Sequence, residues 1–316
     1  MCSKKLNSSF FTAVACIVFL SLCTGSGCAK KSPVITEQVA PDIYRIKVSR
    51  SNMYIISGKT LALIDTGMPG DGAEVLKAIT ALGRNPKEVS HVLITHGHID
   101  HTGSLAFLKK VTGAKVVAGV QDVDYIQGIK KPWRMAREGF GGTLFKIILF
   151  FAQTFVFTFE PAVVDQACSG GDDIDGGGGI KVIATPGHSP GSISYYLPEK
   201  RILFIGDALS GKPQAKLPPR AGCADYQQAL ASVKKLAALP FYICCFGHGE
   251  PVTKGAAALV KKLLAGTLSS AQRAGIAEWF WLAEPAAEMN QQGVVFIIEP
   301  HIAGQVLHKQ LLIILI

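Results

Sequence analysis

The sequence predicts an α/β fold dominated by one large domain, and three observations carry that expectation. Short apolar strands bounded by turn residues alternate with segments whose apolar residues recur at helical spacing. The 316 residues exceed a small domain but suit one large α/β domain with additions. Several polar, chemistry-bearing residues stand in turns directly after the apolar strands.

The first addition is the N-terminus. Lys4 and Lys5 precede a mostly apolar run from Phe10 to Leu22, and the small-residue stretch "TGSGCAKK" follows. That order is the layout of a secretory signal peptide, and the run is short for a membrane span. Residues 1–27 are therefore expected to be a signal peptide or lipoprotein leader, and the protein to be exported. "GSGCAKK" resembles a bacterial lipoprotein cleavage site, although Gly25 stands where such sites usually carry leucine. Membrane association is then expected through a lipidated Cys28 or through the apolar segment itself.

Beyond the leader, "IYRIKVS" (43–49), "MYIIS" (53–57) and "TLALIDTG" (60–67) read as successive strands, with Gly58-Lys59 as a hairpin turn. Asp71 to Leu82 places Val75, Leu76, Ile79 and Leu82 at helical spacing, and Gly83 ends it. "HVLIT" (91–95) is a short apolar strand, Gly103 to Val111 a helix, and "AKVVAG" (114–119) another strand. The stretch 143–159 is strongly apolar and interrupted by Lys146 and Gln153, which favours a helix covering the core over a membrane span. The glycine run after Gly170 lacks the strand-then-helix setting of a phosphate loop and reads as a turn. "IKVIAT", "SISYYL" and "RILFIGD" follow as strands, Asp225 to Leu239 as an amphipathic helix, "FYICCFGHGEP" (241–251) as a strand entering a turn, and Gly255 to Gly266 as a helix. Residues 28–266 thus form the main domain. Residues 267–316 form a C-terminal extension whose sequence signals no fold.

Composition narrows the function classes. Net charge is +9, but the 32 lysines and arginines are scattered without a long run, so charge argues against nucleic acid as a partner. The local cluster of Lys130, Lys131, Arg134 and Arg137 is the exception. Of eight cysteines, Cys2, Cys16 and Cys23 lie in the leader and Cys28 directly follows it. Cys168, Cys223, Cys244 and Cys245 form no C-x-x-C pair, which removes a thiolate zinc site and leaves them as small core hydrophobes.

The chemistry concentrates in "THGHIDH" (95–101). His96 and His98 alternate around Gly97 just past a strand, so an extended chain points both side chains the same way. Asp100 and His101 turn over the same point as the next helix begins. Imidazoles and a carboxylate suit zinc, and iron or manganese as well. The absence of a nearby cysteine argues against a closed structural zinc site.

This segment resembles the H-x-H-x-D-H metal motif of the metallo-β-lactamase superfamily. The rest of that family's pattern follows the same order: Asp65 in "LIDTG", His188 in "TPGHSPGS", Asp207 in "FIGDAL" and His248 in "FGHGEP". The resemblance spans about residues 40 to 265 and implies a four-layer αββα sandwich with two divalent metal ions at one edge of the sheets. It implies His96, His98 and His188 on the first metal, Asp100, His101 and His248 on the second, and Asp207 bridging them. Asp65 would orient the site without ligating. The activity implied is that of a dinuclear hydrolase using a metal-bridging hydroxide on an ester, thioester or related bond of a small-molecule substrate, with Asp100 and Asp207 as its catalytic carboxylates. The bridging aspartate and the motif spacing are similar to the glyoxalase II type, although the tail does not supply that branch's basic C-terminal region. Lactam hydrolysis fits less well, because β-lactamases of this fold typically carry cysteine in place of Asp207. Ser210 stands where lactonases often have tyrosine. A phosphodiesterase or nuclease of the same fold is the alternative.

Overall fold

The computed structural model describes residues 35–130, 160–175, 179–211 and 214–266, together with three strands at 287–289, 295–303 and 306–314. The leader and the apolar stretch 143–159 lie outside the described residues.

The first half of the chain builds one sheet. Strands β1 (Ile35–Ala40), β2 (Ile43–Lys47), β3 (Asn52–Ser57) and β4 (Leu61–Ile64) form an antiparallel meander. Helix α1 (Gly72–Ala81) then crosses to β5 (Val89–Leu93), which pairs parallel to β4. The turn α2 (Ile99–Thr102) and helix α3 (Leu105–Thr112) lead to β6 (Lys115–Gly119), the turn α4 (Val123–Ile126) follows, and β7 (Gln166–Cys168) closes the parallel side. The sheet order is β1 through β7 without a crossover. β1 and β7 were not expected from the sequence.

The second half builds a five-stranded sheet in the order β12-β11-β10-β9-β8. Its strands are β8 (Asp173–Ile174), β9 (Ile180–Ala184), β10 (Ile193–Leu197), β11 (Ile202–Gly206) and β12 (Ile243–Phe246), the last pairing parallel to β11. Helix α5 (Tyr226–Ala237) starts at Asp225, whose carboxylate accepts from the Gln228 backbone N–H at 2.9 Å. Helix α6 covers residues 256–266.

Strand alternation explains the layering. Leu61, Leu63, Val92 and Ile94 point to one face, where Val75, Ile79, Leu105 and Leu108 of α1 and α3 cover them. Ala62, Ile64 and Leu93 point to the other, against Val182, Tyr195, Ile202 and Phe204 of the second sheet. Leu203 and Ile205 turn outward again onto Val233 and Leu236 of α5 and Val260 of α6. Helix, sheet, sheet and helix therefore stack as the expected four-layer αββα sandwich. Each fully buried Leu or Ile in these interfaces contributes roughly 1.5–3 kcal/mol. Cys168, Cys223, Cys244 and Cys245 are free and buried, as the sequence suggested.

In the C-terminal extension, β13 (Ala287–Met289), β14 (Val295–Ala303) and β15 (Val306–Ile314) form an antiparallel sheet. His301 and His308 lie opposite each other in its register. Among the described residues, no helix is long and apolar enough to cross a membrane.

Candidate dinuclear metal centre

All seven residues expected as ligands meet at one edge of the sandwich, beyond the carboxyl ends of strands from both sheets. β5 delivers Thr95 to His101, β11 delivers Asp207, β12 delivers His248, and the turn between β9 and β10 carries His188. Ligand sites at the carboxyl ends of parallel strands are the general outcome in open α/β sheets. His98 stays extended (φ −71°, ψ 149°) at the start of α2. His96 Nε2 consequently lies 2.8 Å from His98 Nδ1, and His188 Nε2 lies 3.0 Å from the same atom.

Three overlapping groups of side chains each hold their ligand atoms within 4.8 Å of one another: His96, His98 and His188; His96, His101 and Asp207; Asp100, His101 and His248. The first and third are the two sets implied by the resemblance. Asp207 reaches both, with Oδ2 3.6 Å from His188 Nε2 and 3.3 Å from His248 Nε2, and Oδ1 3.6 Å from His101 Nε2. Asp100 Oδ2 is 3.3 Å from His248 Nε2. Gly247 makes this crowding feasible, because a Cβ there would overlap Asp207 Oδ1 and stand 2.8 Å from His101 Cε1.

A layer of hydrogen bonds behind the ligands fixes which ring nitrogen faces inward. Asp65 is buried, with φ at 57°, a left-handed conformation that aspartate tolerates better than most residues. Its Oδ2 accepts from His101 Nδ1 and from the Thr95 hydroxyl, and its Oδ1 from the Thr95 backbone N–H, each at 2.8 Å. The Thr95 hydroxyl oxygen in turn accepts from His96 Nδ1 at 3.1 Å, and the Arg50 carbonyl accepts from His248 Nδ1 at 2.9 Å. With Nδ1 engaged as a donor, the Nε2 lone pairs of His96, His101 and His248 are left aimed into the site. Asp65 thus lies behind the histidine cluster, bonded to Thr95 and His101.

Asp122 was not foreseen. It is fully buried at the end of β6, where Oδ2 accepts from the Gly97 N–H at 2.8 Å and the Ser189 hydroxyl at 2.6 Å, and Oδ1 from the Gly191 N–H at 2.8 Å. It ties the loop of His96 and His98 to the loop of His188. Its one sequence cue is an acid three residues past an apolar strand. His91 hydrogen-bonds Ser90 on β5. Of the basic cluster, Lys130 is neutralised by Asp124 at 2.7 Å, and Lys131, Arg134 and Arg137 lie outside the described residues.

The residues fit a pair of cations. His101 Nε2 and Asp207 Oδ1 are buried without a hydrogen-bond partner among the described residues, a costly state for polar atoms unless something further binds them. Three imidazoles pressed nitrogen to nitrogen are likewise a ligand arrangement rather than a packing one. Burial, then the neighbouring His188, pushes the His98 pKa down to about 3, so that ring is neutral and able to ligate. Burial also works against charge on His101 and His248. The carboxylates of Asp65 and Asp207 outweigh it at His101, giving about 9, and those of Asp100 and Asp207 at His248, giving about 10.

Comparison with known proteins agrees with this geometry. Residues 46–248 match the family described as "Metallo-beta-lactamase superfamily", and the chain belongs to it. A Bacillus subtilis (strain 168) protein described as a probable metallo-hydrolase is 26% identical over 233 residues, covering 68% of this chain and 87% of the relative. A hydroxyacylglutathione hydrolase of Rhodospirillum rubrum is 28% identical over 214 residues, 66% of each chain. Among solved structures, the subclass B3 metallo-beta-lactamase BJP-1 of Bradyrhizobium japonicum superposes with a TM-score of 0.57 at 24% identity, over 78% of this chain and 97% of that one. This last likeness is one of fold. The chain is a metal-dependent hydrolase of that superfamily, a family that typically binds two divalent metals.

Proposed function

We propose that this protein is a dinuclear zinc hydrolase that cleaves an ester, thioester or related bond in a small-molecule substrate. The observation that carries the reading is Asp207, whose carboxylate reaches both histidine groups at 3.3–3.6 Å and so can serve two ions at once. Two bound divalent ions would supply a hydroxide nucleophile at neutral pH and polarise the group under attack. The chain's own residues do the rest. Asp65 and Thr95 hold His101 and His96 in the ligating tautomer, so the centre needs no reorganisation when substrate arrives. Asp100, whose side chain is 22% exposed, would carry a proton to the leaving group. The hydroxyacylglutathione hydrolases among the relatives support a thioester, and the all-carboxylate-and-imidazole donor set supports zinc, with iron or manganese chemically suited as well. The leader supports an exported protein, anchored at Cys28 if lipidated.

The test is a panel of thioesters, esters, lactones, lactams and phosphodiesters assayed on leaderless protein with metal analysis. The expected result is about two ions per chain and ester or thioester turnover that chelation removes and zinc restores. Full turnover after chelation would sink the mechanism. Turnover of phosphodiesters alone would transfer the protein to the alternative reading.

A further inference from the structure

His248 sits on a loop that its own sheet holds through the Gly247 N–H on the Gly206 carbonyl and the Gly211 N–H on the His248 carbonyl, and that the opposite sheet grips with a larger set of bonds. Arg45 on β2 and Tyr54 on β3 are register partners, and Asn52 precedes Tyr54 by one full strand period, so the three share a face. Toward the middle of the sandwich that face is apolar, with Ile43 and Ile56 in the core. At the metal edge it turns polar and meets the carbonyls just past β12. Tyr54 Oη donates to the Phe246 carbonyl at 2.8 Å, and Asn52 Nδ2 donates to the same carbonyl at 3.0 Å. The Asn52 backbone N–H donates to the Gly247 carbonyl at 2.7 Å. Asn52 Nδ2 and Arg45 Nη1 donate to the Gly249 carbonyl at 2.6 and 3.2 Å. Arg45 Nη2 also pairs with Glu37 of β1 and with Glu250, each at 2.5 Å. The residues on both sides of His248 are therefore gripped, and its own Nδ1 donates to Arg50, in the loop joining β2 to β3.

Inter-sheet stability alone is a poor account of this group. Arg45 is 3% exposed, and a buried guanidinium is expensive to desolvate where a leucine would pack at no such cost. Its Nε remains without a hydrogen-bond partner among the described residues. What an apolar side chain could not do is donate to carbonyls flanking a ligand.

We infer that Arg45 and Asn52 are positioning residues for the second metal subsite: they hold the 246–250 loop so that His248 Nε2 meets Asp100 and Asp207. This rests on the dinuclear reading above. The effect should be local, because the His96–His98–His188 group is held separately through Asp122 and Thr95.

The experiment is metal titration of wild type, Arg45→Met, Asn52→Ala and Tyr54→Phe, read by competition with a chromophoric chelator, by bound metal per chain and by cobalt(II) spectra. Arg45→Met keeps the aliphatic stem; Gly249 retains its bond from Asn52 Nδ2, Glu250 retains Lys47 at 3.2 Å, and Glu37 and Glu250 are 49% and 61% exposed and readily hydrated. It is expected to fold. Removing partners behind a ligand typically costs 10–100-fold in metal affinity. Arg45→Met and Asn52→Ala should each weaken the second equivalent by about that factor and leave the first within about threefold, with kcat falling more than KM rises. Tyr54→Phe, which loses a single bond, should show the same pattern at a smaller size and secures the test if Asn52→Ala does not fold. A lower melting temperature with both metal affinities and the cobalt spectrum unchanged would overturn the inference and leave the group purely structural. Wild type binding a single ion would instead overturn the dinuclear reading itself.

Discussion

Replacing Asp65 by asparagine isolates one carboxylate's contribution to the centre. Asparagine is the other residue that readily accepts the φ of 57° found here, so the backbone has no reason to move. The carboxylate accepts three hydrogen bonds of 2.8 Å, and an amide cannot reproduce them. If the amide nitrogen faces His101, Nδ1 must become the acceptor, and the ring proton moves to Nε2, the nitrogen that should carry the ligating lone pair. If the amide is flipped, its N–H₂ points at the buried Thr95 N–H, and the mismatch costs about 1–3 kcal/mol. Either arrangement penalises the metal-loaded state. The expected loss is about 10–100-fold in affinity at the subsite of His101, equivalent to about 1.4–2.7 kcal/mol, with a comparable loss in kcat/KM. Chelator competition on purified variant, alongside circular dichroism to verify folding, measures it. An Asp65→Asn protein that retains wild-type metal affinity and turnover would refute the argument that Asp65 selects the His101 tautomer.

Three further outcomes follow from the same geometry. Asp207→Ala removes the one carboxylate shared by both histidine groups, so turnover should fall at least about 10³-fold and bound metal should drop below two per chain by elemental analysis. Asp122→Asn leaves one of the Gly97 and Gly191 N–H groups facing an amide N–H₂, and should lower stability by about 1–3 kcal/mol in a urea titration and weaken the three-histidine subsite preferentially. In the metal-free protein, His101 and His248 have pKa values raised from 6.5 to about 9 and about 10, so both carry a proton at neutral pH that an incoming cation must displace. Metal uptake at pH 7 should release roughly two protons, and affinity should rise with pH until the rings deprotonate unaided near pH 9–10. Calorimetry in buffers of different ionisation enthalpy reads the proton count, and no release at pH 7 would contradict the assignment. The same sign holds for folding: the contribution of these two rings to metal-free stability is complete below pH 6.5 and is lost as pH rises through 9–10.

How much of this was legible in the sequence depended on how local the physics is. "THGHIDH" could be read at sight because one strand end and one helical turn place four ligands with no help from elsewhere. His188, Asp207 and His248 came from the order of the family motifs, not from any contact visible in the chain, since only the docking of two sheets brings them together. Strands such as Leu61–Ile64 and Ile202–Gly206 announced themselves because both of their faces are buried. β1 did not, for "ITEQVA" is a polar edge strand whose identity lies in its pairing with β2. β7 is three residues long, too short for any periodicity. Asp122 and Asn52 escaped for a different reason: each works on backbone groups 25 to 197 positions away, and nothing in a short window of sequence records such a partner.

Among the described residues, the chain passes from the first sheet to the second a single time, between Cys168 and Asp173, so each half owns one sheet and neither owns the centre. Two bound ions would therefore act as a seam. A partly folded chain could offer an ion the His96–His101 cluster, but the full donor set would have to wait until His188, Asp207 and His248 of the other half arrive. Capture of two ions would thereby report that the two halves have docked.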